Sequence, residues 1–189
     1  MLEAGFFIIC DEVNKKILLG GMNMIRKLED FLSDWQHESN STLKILEALT
    51  DESLKQRVSE NGRTLGKLAW HIITSIDEMI GRTGLQFSAT PHEASEPVTT
   101  KEMIDAYRLS SDSIVQSIKV QWTDESLLEE NDMYGEQWTI ATILKTLIYH
   151  QIHHRGQMTI LMRQAGLSIP GMYGPSKDEW LAFGEEAPE

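Results

Sequence analysis

His150, His153 and His154 fall within the run His150-Gln151-Ile152-His153-His154-Arg155-Gly156-Gln157. His150 and His154 are spaced i, i+4, which puts two side chains on one face of a helix. His71 stands alone in an earlier amphipathic segment. Three neutral imidazoles brought together from two helices make a half-open site for zinc or a similar divalent cation. An ion held in this way lowers the pKa of water or of a thiol at its open position. Hydroxide or thiolate then forms near neutral pH.

Helical phase sorts this cluster. A helix advances about 100° per residue. In the segment holding the pair, Ile140, Leu144, Leu147, Met158 and Leu161 mark the buried stripe. His154 falls inside that stripe, His150 on its edge and His153 outside it. His71 lies on the border of the stripe of its own segment. Border positions suit a metal that water and substrate can reach. Ser75 and Glu78 share the His71 face, and Gln157 shares the face of the pair. Each is a candidate partner for a ligand's other ring nitrogen. One histidine at a core edge is more often a hydrogen-bonded core residue than a ligand. A desolvated i, i+4 pair is harder to explain that way, because both imidazoles need partners. Spacing alone leaves the two readings open. His37 and His92 read as surface residues.

Other chemistries find less support. The peptidase pattern His-Glu-x-x-His fails, because Gln151 stands where the general base belongs. The paired Glu-x-x-His motifs of a di-iron bundle are absent. There is no phosphate-binding glycine loop and no credible cysteine nucleophile. No side chain shows itself as a general base. Gly156 interrupts the helix that carries the pair, at a cost of about 1 kcal/mol relative to alanine. Close approach of another backbone is the expected reason. Ile148 and Ile152 lie off the main stripe, as a dimer contact or as the edge of a wide core face.

Four helical patterns must position these residues. The first runs from about Met24 to Leu49, with Ile25, Leu28, Leu32, Trp35, Leu46 and Leu49 as its stripe. Ser39 and Thr42 interrupt that stripe; they bond to the helix's own carbonyls or line a polar pocket. The second starts after Thr64, a good N-cap, and ends at Gly81 and Gly84. Thr83 to Val98, with Pro91 and Pro97, reads as a long loop. The third runs from about Thr99 to Trp122. Asp124 to Gln137 is acidic and irregular, with a turn at Tyr134-Gly135. The fourth opens near Thr139 and closes at Gly166. A turn-rich tail follows, with Tyr173 and Trp180 as its expected anchors. No strong strand pattern appears. Four amphipathic helices without a sheet bury their stripes against each other, so the expected fold is all-α, a four-helix bundle of up-down type with long loops. The long second loop also permits another connection.

The 189 residues suffice for one domain with a substantial core. The formal net charge of −12 repels phosphate backbones and anionic membranes, so neither nucleic acid nor a membrane is an expected partner. Cys10 is the only cysteine, which fits a reducing cytoplasm. Residues 1–23 read as an extension outside the helical domain of residues 24–189. In a bacterial gene, codons for Leu19-Gly20-Gly21 can spell a ribosome-binding site, which would make Met24 the natural start. A purine run before the Met24 codon checks this.

Three segments together resemble the DinB/YfiT-like family: Leu68-Ala69-Trp70-His71, then His150-x-x-x-His154-Arg155-Gly156-Gln157, then the tail Pro170-Gly171-Met172-Tyr173-Gly174-Pro175-Ser176 with Asp178-Glu179-Trp180. The resemblance covers about Met24 to Trp180. It implies a four-helix bundle, often dimeric, with a divalent metal held by His71, His150 and His154. Those are the residues that helical phase selected. Zinc, nickel and manganese all suit the site. The family includes thiol transferases and isomerases that use low-molecular-weight thiols such as bacillithiol or mycothiol. The expected function is therefore a cytoplasmic metal-dependent S-transferase or hydrolase, in which an activated thiol or water attacks a small electrophile. The alternative is a non-catalytic, stress-associated metal-binding dimer. A DNA-damage protein that touches nucleic acid is disfavoured by the charge.

Overall fold

The structure, a computed structural model, describes residues 25–180 together with 184 and 186. The extension expected over residues 1–23, and a start at Met24, lie outside the described residues. Four long helices carry the fold: α1 (Leu28–Glu47), α2 (Leu65–Ile80), α3 (Thr100–Gln121) and α4 (Ile140–Gln164). Three of them start on a threonine. The side chains of Thr64, Thr99 and Thr139 accept hydrogen bonds from the amides of Lys67, Glu102 and Thr142. Each satisfies an amide that the first turn would leave unpaired.

Side-chain bonds between the ends give the helix directions. Leu28 N–H donates to Asp124, and Thr100 N–H to Asp51, so α1 and α3 run antiparallel. Gln86, just beyond the end of α2, and Gln121, the last residue of α3, bond to each other, so those two run parallel. Gln56, which joins the start of α2, meets Gln164 at the end of α4, so α2 and α4 are antiparallel. The order is up-down-down-up. The bundle stands, but strict alternation breaks between α2 and α3. The long second loop makes this possible. It climbs back along the bundle through Ser88 to Ser113, Thr90 to Ser110 and the Ala94 carbonyl to the Trp70 indole.

The core runs the length of the bundle. Phe31, Trp35, Ile45, Ile72, Ile73, Ile76, Tyr107, Ile114, Leu144 and Leu147 are all inaccessible to solvent. Burying a side chain of this size stabilises the fold by about 1.5–3 kcal/mol. Ile148 is buried and Ile152 packs against the same core, so this edge of α4 is a wide core face.

Two further features depart from the sequence reading. The acidic segment before α4 contains a hairpin, β1 (Glu130–Met133) with β2 (Glu136–Thr139). Its two-residue turn places Tyr134 at φ 59° and Gly135 at φ 90°. That is the twist a tight hairpin requires. The strands have only four residues each and little alternation, so their pattern carries no strong signal. Gly156 is the second departure. A Cβ built on it meets nothing within 4 Å, and the residue is exposed. No described backbone packs closely there, contrary to expectation.

The tail ends in a short helix, α5 (Lys177–Trp180). It folds around the Glu179 carboxylate, which accepts from the amides of Gly171 and Ser176 at 2.9 and 3.0 Å. Tyr173 anchors it to the bundle as expected. Its ring is exposed, but its hydroxyl donates to the Glu38 carboxylate. Trp180, the other expected anchor, bonds only within the tail among the described residues, its amide donating to the Ser176 carbonyl.

Candidate metal centre

The antiparallel packing of α2 on α4 brings His71 against the His150/His154 pair. The Nε2 atoms of His150 and His71 are 3.0 Å apart, and those of His154 and His150 are 3.1 Å apart. One ligand atom from each of the three lies within 4.8 Å of the others. Nitrogens at about 2.05 Å from one zinc ion would be about 3.3 Å apart in a tetrahedral site and about 2.9 Å apart at right angles. The observed separations fall between these values.

The donor set also fits a cation. Both short contacts meet on His150 Nε2. An imidazole nitrogen carries either one hydrogen or one lone pair, so it can serve only one N–H···N bond. A cation accepting three lone pairs would satisfy every Nε2 at once. The His154 tautomer agrees: its Nδ1 lies 2.8 Å from Gln157 Oε1, an acceptor, so Nδ1 carries the hydrogen and Nε2 the lone pair. His150 Nδ1 is buried and has no hydrogen-bond partner among the described residues.

Electrostatics keep the three rings neutral. Burial pushes the His150 pKa down to about 4, helped by the charges that His154 and His71 would carry. Burial is also the main cause that lowers His71 and His154; the positive charge of Arg63 contributes at all three. Neutral imidazole is the form that binds a metal.

The remaining sequence candidates divide. His153 is exposed, as phase indicated, and lies 3.0 Å from Gln157 Nε2. Gln157 therefore joins His153 and His154. Ser75 instead donates to the Ile72 carbonyl, and Glu78 accepts from Tyr134 at 3.0 Å, so neither holds His71. His37 and His92 are exposed. His37 packs its ring near Tyr173, and His92 meets Asp77.

Behind the histidines lies a buried polar layer that sequence reasoning did not assemble. Gln151 Nε2 donates to the Ile72 carbonyl at 2.9 Å, one residue from His71. Its Oε1 accepts from Thr42 and from Tyr107, both at 3.2 Å. Gln151 thereby ties α4 to α2, α1 and α3 between the two histidines it separates. Next to His154, Arg155 donates to the Glu38 carboxylate, to the Glu38 carbonyl at 2.7 Å and to Thr42 Oγ1 at 3.1 Å. Its other contact is the Tyr173 hydroxyl at 2.9 Å. Thr42 was visible in the sequence as a polar break in the α1 stripe. The signal for two others is also present: the phase that selects His154 puts Gln151 at about 20°, inside the α4 stripe, and Arg155 at about 60°, on its edge.

Comparison with known proteins places the chain in a family. The model of the DinB family matches residues 24–187. The chain belongs to the DinB family. It is 45% identical over 166 residues to the uncharacterized protein YrdA of Bacillus subtilis (strain 168), covering 88% of this chain and 99% of that one. The crystal structure of a DinB-like protein from Bacillus cereus ATCC 10987 superposes with a TM-score of 0.76 at 44% identity, over 79% of this chain and all of that one. The DinB-like protein YjoA of Bacillus subtilis shares the fold, with a TM-score of 0.60 at 23% identity over 75% of this chain and 96% of that one. In this DinB protein no helix among the described residues is long and apolar enough to cross a membrane.

Proposed function

We propose that this DinB protein is a metal-dependent enzyme in which His71, His150 and His154 hold a divalent cation, zinc, nickel or manganese. The observation that carries the reading is the convergence of three Nε2 atoms, with two 3.0–3.1 Å contacts on a nitrogen that can make only one hydrogen bond. A cation bound there would supply Lewis acidity, lowering the pKa of water or of a thiol. The protein's own part is to hold the site. Desolvation keeps the rings unprotonated. Gln157 fixes the tautomer of His154, and Gln151 holds the two helices in register. His71 and His150 are only partly buried, so the site keeps contact with solvent. The reaction proposed is attack of a thiol or of water on a small electrophile, that is, S-transfer or hydrolysis. The thiol preference comes from the family resemblance. The proposal extends to a homodimer, which light scattering checks.

The decisive experiment is metal analysis of protein purified without chelator or nickel resin, beside His71→Ala. Wild type should carry about one divalent ion per chain, and the variant little. Transfer of a small thiol to a chromogenic electrophile should follow the metal. A wild type without stoichiometric metal, and without stabilisation by added zinc, nickel or manganese, would sink the reading. Bound metal without turnover on any electrophile would favour the non-catalytic binding protein.

A further inference from the structure

Each of the three histidines is followed in the chain by a member of the buried polar layer. Ile72 follows His71, Gln151 follows His150, and Arg155 follows His154. Hydrogen bonds join the three. Arg155 donates to Thr42 Oγ1 at 3.1 Å, Thr42 to Gln151 Oε1 at 3.2 Å, and Gln151 to the Ile72 carbonyl at 2.9 Å. The layer therefore ties together the backbone positions that carry the three rings.

The outer end of this chain of bonds lies in the tail. The Tyr173 hydroxyl donates to the Glu38 carboxylate and accepts from Arg155 at 2.9 Å. It completes an ion pair whose side chains are almost wholly buried. Its ring is 66% exposed, so the polar tip holds this residue more than apolar burial does. The segment that carries Tyr173 is folded on itself. The Glu179 carboxylate accepts from the amides of Gly171 and Ser176, and Asp178 from the Ile169 amide at 3.3 Å. A Cβ on Gly171 would collide with the Glu179 carboxylate and the Gly174 carbonyl. Among the described residues, every hydrogen bond between residues 170–180 and the bundle ends on Tyr173, and Met172 adds an apolar contact. A segment closed on its own carboxylate and tied down through one hydroxyl is built to undock as a unit.

We propose that residues 170–180 are a strap that regulates the three-histidine site. Docked through Tyr173, the strap holds Arg155 and Glu38 in the arrangement that positions the histidines. When it lifts, that pair loses a shared partner and meets water, and the grip of the histidines on a cation loosens. Tyr173 and Glu179 are positioning residues; neither touches the cation. This rests on the metal-centre reading above and adds its regulation. The coupling is reciprocal: a cation on the histidines holds the strap down by the same factor by which the docked strap tightens the cation.

Zinc affinity, measured by chelator competition, and hydrogen exchange of the full-length chain, followed by mass spectrometry, test this. Tyr173→Phe removes the hydroxyl alone. Glu179→Ala opens the strap at a point that bonds to no member of the buried layer. Each variant should bind zinc about fivefold more weakly than wild type. In wild type, zinc should slow exchange of the amides of residues 170–180 by about the same factor. The loop around Gln86 and Ser88 bonds to α3 outside the layer, and its exchange should not change. Wild-type zinc affinity in either variant, tail exchange indifferent to bound zinc, or equal slowing in the loop overturns the strap proposal alone. A wild type that takes up no zinc overturns the metal-centre reading, and this proposal with it.

Discussion

Replacing Glu38 with glutamine tests whether the ion pair behind the site holds the bundle together. Arg155 and Glu38 are 3% and 8% exposed at their side chains, so both charges are out of water. Glu38→Gln removes the negative charge and keeps the shape. Arg155 is then a buried cation whose acceptors among the described residues are all neutral: the new side-chain amide oxygen, the backbone carbonyl at position 38, Thr42 Oγ1 and the Tyr173 hydroxyl. Breaking one partner of such a pair costs about 3–5 kcal/mol. These neutral acceptors put the expected loss at the lower end, about 3 kcal/mol. Arg155→Met should cost a similar amount by stranding the carboxylate. The double variant Glu38→Gln/Arg155→Met strands neither charge. It should therefore lie at least about 2 kcal/mol closer to wild type than the sum of the singles. Urea unfolding followed by far-UV circular dichroism measures all four proteins, with unchanged slopes as the check on the comparison. A Glu38→Gln cost below about 1 kcal/mol, or costs that simply add, would refute the argument that the pair is a coupled, desolvated unit.

Further outcomes follow from the same structure. Gln151→Leu removes the acceptor of the Tyr107 hydroxyl and the bond to Ile72; it should cost about 1–3 kcal/mol in urea and weaken zinc affinity, because α4 loses its register on α2. A variant with wild-type zinc affinity would deny Gln151 its positioning role. Gly156→Ala should stabilise α4 by up to about 1 kcal/mol, since the added methyl meets open space among the described residues; destabilisation in a monomeric sample would contradict that geometry. The metal-free protein should lose stability as pH falls from about 6.5 toward 4. In that window the unfolded histidines bind protons that the folded His150 refuses, so the unfolded state gains. His150→Gln should flatten the fall in thermal midpoint measured in chelator; an equally steep fall would assign it to other groups.

Much of the site can be read along a single helix, and the rest cannot. The i, i+4 spacing of His150 and His154 and the outward phase of His153 are local geometry, set by 3.6 residues per turn. The same is true of the threonine caps and of the buried stripes. The DinB motifs name His71 as the third member, but no helical phase relates it to a pair 79 positions away. Its 3.0 Å approach to His150 exists because α2 packs antiparallel on α4, and because Gln151 holds the Ile72 carbonyl in register. The direction of α3 was equally hidden: a long loop permits either sense, and its bonds to Ser110, Ser113 and Trp70 choose one. Glu38 and Arg155 each read alone as a charged residue on a helix. Only tertiary packing turns them into one buried pair, because the attraction between them appears once both have left water.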